Sequence, residues 1–381
     1  MYKKLKKING GYPQMKLICQ KKTLTHSIST VQKAVSSKTN LPILKGILLE
    51  SIGQQLKLVG TDLEVGIESY IDAEILEEGS IVLSSRILGD IIRKLPDEDI
   101  EIEVTENNKT TIRCKNSEFT LVGQPAEEFP DLPIVEEDNA YILAQDLLKN
   151  MIKQTVFATA VDETRPILMG VLIELKEQGI HMVALDGYRL ALREAKVRNE
   201  MENKAVIPAK TLNEINRILT EEENHEVKMF FTDKHVLFCM KNTRVISRLL
   251  DGEFINYKQI IPTEYKSRVK VNTKDLLNSI ERASLLAKEG KNNLVKLSIK
   301  DEEMIITSTS EIGNVLESIQ IDLEGEDIDI GFNSKYFIDA LKIIDSEEIY
   351  LKFTTSVSPC IIKPEDNDNY TYLILPVRIV N

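Results

Sequence analysis

The segment Leu83–Val104, LSSRILGDIIRKLPDEDIEIEV, joins a helical pattern to an alternating one. Ile87, Leu88, Ile91, Ile92 and Leu95 fall at helical spacing and predict one apolar face. Ser84 or Ser85 is placed to cap the first turn, and Pro96 discourages continuation. The alternation after Pro96 predicts a strand. On the polar side Arg86, Asp90 and Arg93 stand at i, i+4 and i+7 of one stripe.

The same arrangement returns twice. Ile207–Phe231 carries Lys210, Glu214 and Arg217 in these places, and Phe332–Phe353 carries Lys335, Asp339 and Lys342. The leading cations are 124 and then 125 positions apart, so the chain is a triplicated unit of about 120 residues. Each unit opens with a strand and an amphipathic helix. Three strands follow, then the helix just described and three closing strands. Asp62, Asp186 and Ser310 mark matching turns 124 residues apart. The first two units end alike, in QPAEEFPDLP (124–133) and LDGEFINYKQIIP (250–262). The expected class is α+β, with two helices and about eight strands per unit. Helices laid side by side on antiparallel sheet would bury both apolar faces. The expected division is a disordered extension at 1–14 and domains at 15–137, 138–263 and 264–381.

No apolar run is long enough to span a membrane, and the basic start MYKKLKKINGGYPQ lacks the apolar segment of a secretory signal. Cys19, Cys114, Cys239 and Cys360 form no CxxC pair, and with four scattered histidines they make no metal-ligand cluster. Small core cysteines in a reducing, cytoplasmic setting are expected. The formal charge of −12 would argue against a nucleic-acid partner, yet its distribution argues the reverse. Segments 22–37, 84–95, 144–159, 208–219, 273–288 and 333–344 together hold +8, leaving −20 for the remainder. Met15–Leu49 has no acid at all, against Lys16, Lys21, Lys22, Lys33, Lys38 and Lys45. If the units close into a ring with helices inward, the lumen is positive and holds a polyanion without reading bases.

No phosphate loop, GxGxxG or nucleophile motif is present. Asp62/Glu64 and Asp162/Glu163 read as turn or surface carboxylates among 60 acids. No catalytic chemistry and no cofactor are expected.

Together MKLICQKKTL, TNLPILKGILLE, GTDLEVGI, FPDLP, VALDGYRLAL, DGEFINYKQIIP and the terminal YLILPVR resemble the bacterial DNA polymerase III beta subunit family, the sliding clamps. The resemblance runs from Met15 to the end. It implies a head-to-tail homodimer of six like domains, closed around double-stranded DNA, without catalytic activity. It implies as partners the DNA polymerase III catalytic subunit, the clamp-loader complex and other proteins bearing a clamp-binding motif, with no membrane. It further implies a partner-peptide pocket from Leu168, Leu185, Gly187, Tyr188, Arg189, Leu190, Pro262, Leu373, Leu375, Pro376, Val377 and Arg378. Tyr188 stands where a histidine is common, and Leu375 and Val377 where methionines are common. DNA-facing positions carried over are Lys38, Arg86, Arg93 and Lys210. The internal repeat adds Arg217, Lys335 and Lys342. The competing reading is a repeat scaffold that binds peptides without encircling DNA.

Overall fold

The computed structural model describes residues 15–36 and 38–379, so the extension expected at 1–14 lies outside the described residues. The described residues form six α-helices: α1 (Lys21–Val31), α2 (Ser85–Lys94), α3 (Gln145–Thr155), α4 (Ala209–Ile218), α5 (Thr273–Ala287) and α6 (Ser334–Leu341). They fall where the periodicity predicts them. Helix α2 buries Leu88 and Ile92, and Leu95 is buried just beyond its end. Ile87 instead stays 41% exposed, so the apolar stripe is narrower than its spacing suggests. Ser84 occupies the position before α2, but its hydroxyl makes no capping bond. Side-chain caps occur on the third repeat's helices. Asn272 accepts from the amides of Lys274 and Asp275, and Asn333 from that of Lys335.

The chain forms two compact units, Met1–Ile142 with Glu226–Arg248, and Leu143–His225 with Leu249–Asn381. The first holds α1, α2 and two sheets. Its five-stranded sheet runs Glu74–Glu77, Met15–Gln20, Asp99–Thr105, Lys109–Cys114, Ser117–Val122. Its eight-stranded sheet joins two repeats: Thr243–Arg248 lies antiparallel to Val65–Asp72, with Ile246 opposite Gly66. Helices α1 and α2 pack on each other, and α1 covers Gln55–Thr61 and Val65–Asp72.

The second unit holds the pairs α3/α4 and α5/α6. Its nine-stranded sheet joins repeats through Arg189–Ala195 antiparallel to Tyr370–Ile374, with Leu190 opposite Leu373. Its four-stranded sheet runs Gly313–Gln320, Glu303–Ser310, Leu294–Lys300, Ile328–Asn333. Described strands number nine, eight and nine in the three repeats, against about eight expected. The extra strands arise where the long third strand breaks, at Ala73 and at Ile321. Among the described residues no helix is long and apolar enough to cross a membrane.

Candidate DNA-facing stripes and a candidate peptide groove

Each stripe helix buries its apolar side against its neighbours and leaves the cations outward. Arg86, Arg93, Lys210, Arg217, Lys335 and Lys342 are all exposed, as is Lys38 in the turn after α1. The acid within each stripe is not equivalent across the repeats. Asp90 holds Arg93 at 2.6 Å and Glu214 holds Arg217 at 2.8 Å, both i,i+3 pairs. In the third repeat Asp339 takes the leading cation instead, Lys335, at 3.0 Å, and Lys342 crosses to Glu281 of α5 at 2.8 Å. Arg86 and Lys38 make no ion pair among the described residues. The stripes are therefore less basic toward a ligand than a count of cations suggests, and the first repeat offers the freest charge.

The twelve pocket positions all lie in the second unit. Leu168, Leu185, Leu190 and Leu373 are buried together with Phe254 and Tyr257, and Leu375, Ile167 and Ile261 pack on them partly buried. Besides Ile167 and Leu168 in the turn Pro166–Met169 and Leu190 and Leu373 on the paired strands, three segments border this wall: the hairpin between Leu185 and Arg189, the connection 250–262, and the chain after Ile374. Asp186 shapes the hairpin, its Oδ1 accepting the amides of Tyr188 at 2.9 Å and Arg189 at 3.0 Å. Gly187 at the tip has φ +94°, a left-handed conformation that a glycine adopts without strain. The terminal strand stops at Ile374, and Pro376 has no amide to extend it. The amides of Leu375 and Val377 go instead to the carbonyls of Tyr188 and Gly331, each at 2.8 Å. Leu375, Pro376 and Val377 are thus held half-buried along an irregular edge. Pro262 is half-buried, while Gly187, Tyr188 and Arg378 are exposed at the rim.

Arg189, one of the pocket positions, lies beneath the wall rather than at its surface. It is 7% exposed, and its guanidinium donates to Asp186 Oδ2 (2.9 Å), Asp339 Oδ2 (2.6 Å) and the Phe157 carbonyl (2.7 Å). It also lies 4.7 Å over the Tyr336 ring. A buried arginine needs such partners, so this residue braces the groove from beneath.

Sequence reasoning missed Phe254, Tyr257, Ile167 and Ile261 in the wall. The Glu128-Phe129 and Glu253-Phe254 pairs, 125 apart, were the available signal. Tyr257 is also anchored at its polar end. Its hydroxyl donates to Glu174 Oε2 at 2.8 Å and lies 3.3 Å from His181 Nδ1. Burial and then the Glu174 hydrogen bond push its pKa above the usual phenol range.

The paired carboxylates considered above hold turns. Asp62 Oδ1 accepts the amides of Glu64 and Val65, and Asp162 Oδ1 that of Thr164. All four cysteines are free thiols, and burial pushes that of Cys19 up to about 12. Two sheets end in strands carrying exposed apolar side chains. Ser117–Val122 shows Phe119 (40%) and Val122 (81%), and Gly313–Gln320 shows Leu316 (65%).

Three family models match the chain in sequence: the DNA polymerase III beta subunit N-terminal domain at residues 15–133, its central domain at 142–256 and its C-terminal domain at 258–378. The beta sliding clamp of Bacillus subtilis (strain 168) is 44% identical over 378 residues, covering 96% of this chain and 100% of the relative. That of Halalkalibacterium halodurans is 40% identical, covering 96% and 100%. Among solved structures, a DNA polymerase sliding clamp from Bacillus subtilis superimposes with a TM-score of 0.93 at 42% identity, covering 96% and 100%. A Pseudomonas aeruginosa sliding clamp bound to griselimycin gives 0.90 at 29% identity, covering 97% and 100%. The family is the processivity factor of replication, an accessory subunit of DNA polymerase that encircles duplex DNA and does not catalyse. By the three domain matches and by identity over nearly its whole length, the chain belongs to the DNA polymerase III beta subunit family of sliding clamps.

Proposed function

We infer that this clamp receives its partners in the groove of the second unit and meets DNA through the helix stripes. The observation that carries the groove is the meeting of Leu168, Leu185, Leu190 and Leu373 beneath a chain end that cannot continue as strand. Such a site takes short extended segments by apolar anchors. Segments from the DNA polymerase III catalytic subunit, the clamp loader and other motif-bearing proteins are the proposed occupants, and griselimycin a small-molecule one. Leu375, Pro376 and Val377 form one lip, and Gly187 and Tyr188 the other.

The DNA contacts are Lys38, Arg86, Arg93, Lys210, Arg217, Lys335 and Lys342, acting on phosphates without reading sequence. The chain divides into clamp domains at 15–137, 138–263 and 264–381, and works in the cytoplasm. Two copies associate head to tail, strand Ser117–Val122 of one meeting strand Gly313–Gln320 of the other. Exposed apolar side chains on unpaired edges support that pairing, because such edges seek a partner.

The test combines mass in solution with retention on nicked circular plasmid, clamp loader supplied, before and after linearisation. A dimer near twice 43.2 kDa that stays on circles and leaves ends is expected. Retention indifferent to linearisation would overturn DNA encirclement by this chain. For the groove, Leu375→Ser is expected to abolish binding of labelled griselimycin, and unchanged binding would overturn the assignment.

A further inference from the structure

We propose that Asp339 is a positioning residue for the groove, linking its lip to the cation Lys335 on the DNA-facing stripe of α6. The inference rests on the groove reading above and concerns what sets the groove's affinity.

One carboxylate oxygen is shared. Asp339 Oδ2 accepts from Lys335 Nζ at 3.0 Å and from Arg189 Nη1 at 2.6 Å. Lys335 is 63% exposed on the stripe, whereas Arg189 is 6% exposed in its side chain. From Arg189 the connection continues through Nε to Asp186 Oδ2 at 2.9 Å. Asp186 Oδ1 in turn holds the amides of Tyr188 and Arg189, and the Tyr188 carbonyl holds the amide of Leu375 at 2.8 Å. Both lips of the groove therefore hang on one hydrogen-bonded chain that ends at an outward lysine. Aromatic contacts run beside it. Tyr188 stacks on Tyr336, the residue after Lys335, with centroids 6.3 Å apart, and Tyr336 lies under the Arg189 guanidinium.

The other repeats lack this connection. Asp90 and Glu214 pair with arginines of their own helices. At the position matched to Arg189, 124 residues away on either side, stand Val65 and Gly313. Neither can reach a stripe carboxylate. Among the described residues the link thus occurs only in the unit that contains the groove.

The direction follows from charge. Asp339 divides its negative charge between two cations. An anion that draws Lys335 away, as a DNA phosphate would, leaves the carboxylate to Arg189 alone. Arg189 is then held more firmly between Asp186 and Asp339, and the hairpin lip gives up freedom that binding would otherwise remove. The groove binds more tightly. By linkage, an occupied groove favours an anion at Lys335 by the same factor.

The experiment measures binding of fluorescently labelled griselimycin to the full-length dimer by anisotropy. Lys335→Gln, which leaves Asp339 to Arg189, is expected to tighten binding about fivefold. Asp339→Asn, which keeps an acceptor but removes the charge, is expected to weaken it about tenfold. In the double variant Lys335→Gln has no further effect, because both act through one oxygen. Lys274→Gln on α5 controls for loss of a lysine in the same repeat. Should Asp339→Asn fail to fold, Lys335→Gln alone decides. The proposal is overturned if Lys335→Gln matches Lys274→Gln, or if the double variant is additive. Unchanged binding in Leu375→Ser would instead bring down the groove reading itself.

Discussion

Exchanging Arg86 for glutamine removes the one stripe arginine that makes no ion pair among the described residues. Arg217 is the trailing arginine of its own stripe and is held by Glu214 at 2.8 Å, so it must give up that bond to reach a phosphate. Its pair is 65% exposed on the arginine side, so the bond is worth at most about 1 kcal/mol. Arg86→Gln should therefore weaken DNA binding more than Arg217→Gln, by up to about fivefold per chain. A cation that no longer neutralises a phosphate also no longer releases that phosphate's counterion. With two chains per ring, the slope of log K against log salt should flatten by about 1.8. A linear 20-bp duplex can thread a closed ring, so equilibrium anisotropy across a sodium chloride series measures both quantities. A slope unchanged by Arg86→Gln, or a greater weakening with Arg217→Gln, would refute the idea that a chain-bound acid lowers a stripe cation's value.

Three further outcomes are expected. Tyr257→Phe leaves the apolar wall filled but strips a donor from the 14%-exposed Glu174, which should cost about 1–3 kcal/mol and lower the thermal midpoint of the second unit. Leu316→Glu places a charge on an edge where Leu316 is 65% exposed, and light scattering should show the mass falling toward one chain of 43.2 kDa. Acid should destabilise the fold through specific pairs. Arg113 holds Glu103, and Arg282 holds Glu317, below the usual carboxylate range of 4.5. A lowered folded pKa contributes stability that is present above 4.5 and lost as pH falls through the folded value. Thermal midpoints measured below that pH should drop less in Glu103→Gln and Glu317→Gln than in the unaltered chain.

The helices were legible because burial of one side is written locally, at three- and four-residue spacing. The pairing of Thr243–Arg248 with Val65–Asp72 was not, since nothing within either strand names a partner some 180 residues away. Ion-pair choice was equally hidden. The i, i+4, i+7 stripes look alike in sequence, yet Asp90 and Glu214 turn to the trailing arginine while Asp339 serves Lys335 and Arg189. Spacing alone allows either partner, and tertiary neighbours decide. Arg189 shows the same limit, because a sequence states its charge and not its 7% exposure. The groove positions came only through family resemblance, with apolar residues such as Leu185 and Leu373 otherwise indistinguishable from core.

A chain with three matching units need not have three grooves, and the first unit shows a physical reason. Gly66 occupies the place matched to Leu190, 124 residues earlier, and lies opposite Ile246 as Leu190 lies opposite Leu373. A Cβ at Gly66 would come within 2.5 Å of the Leu132 side chain, so that leucine sits directly over the glycine backbone. Leu132 belongs to the tail FPDLP and also packs with Val135, Phe230, Leu237 and Ile246. The chain thus fills with its own leucine the space that the second unit lines with Leu190 and leaves bordered by a half-buried terminal segment. Val65 in place of Arg189 removes the buried guanidinium that braces the hairpin there. Two differences within a duplicated pattern, Gly66 for Leu190 and Val65 for Arg189, therefore separate a junction over which the chain's own Leu132 lies from the one proposed to take a partner's anchors.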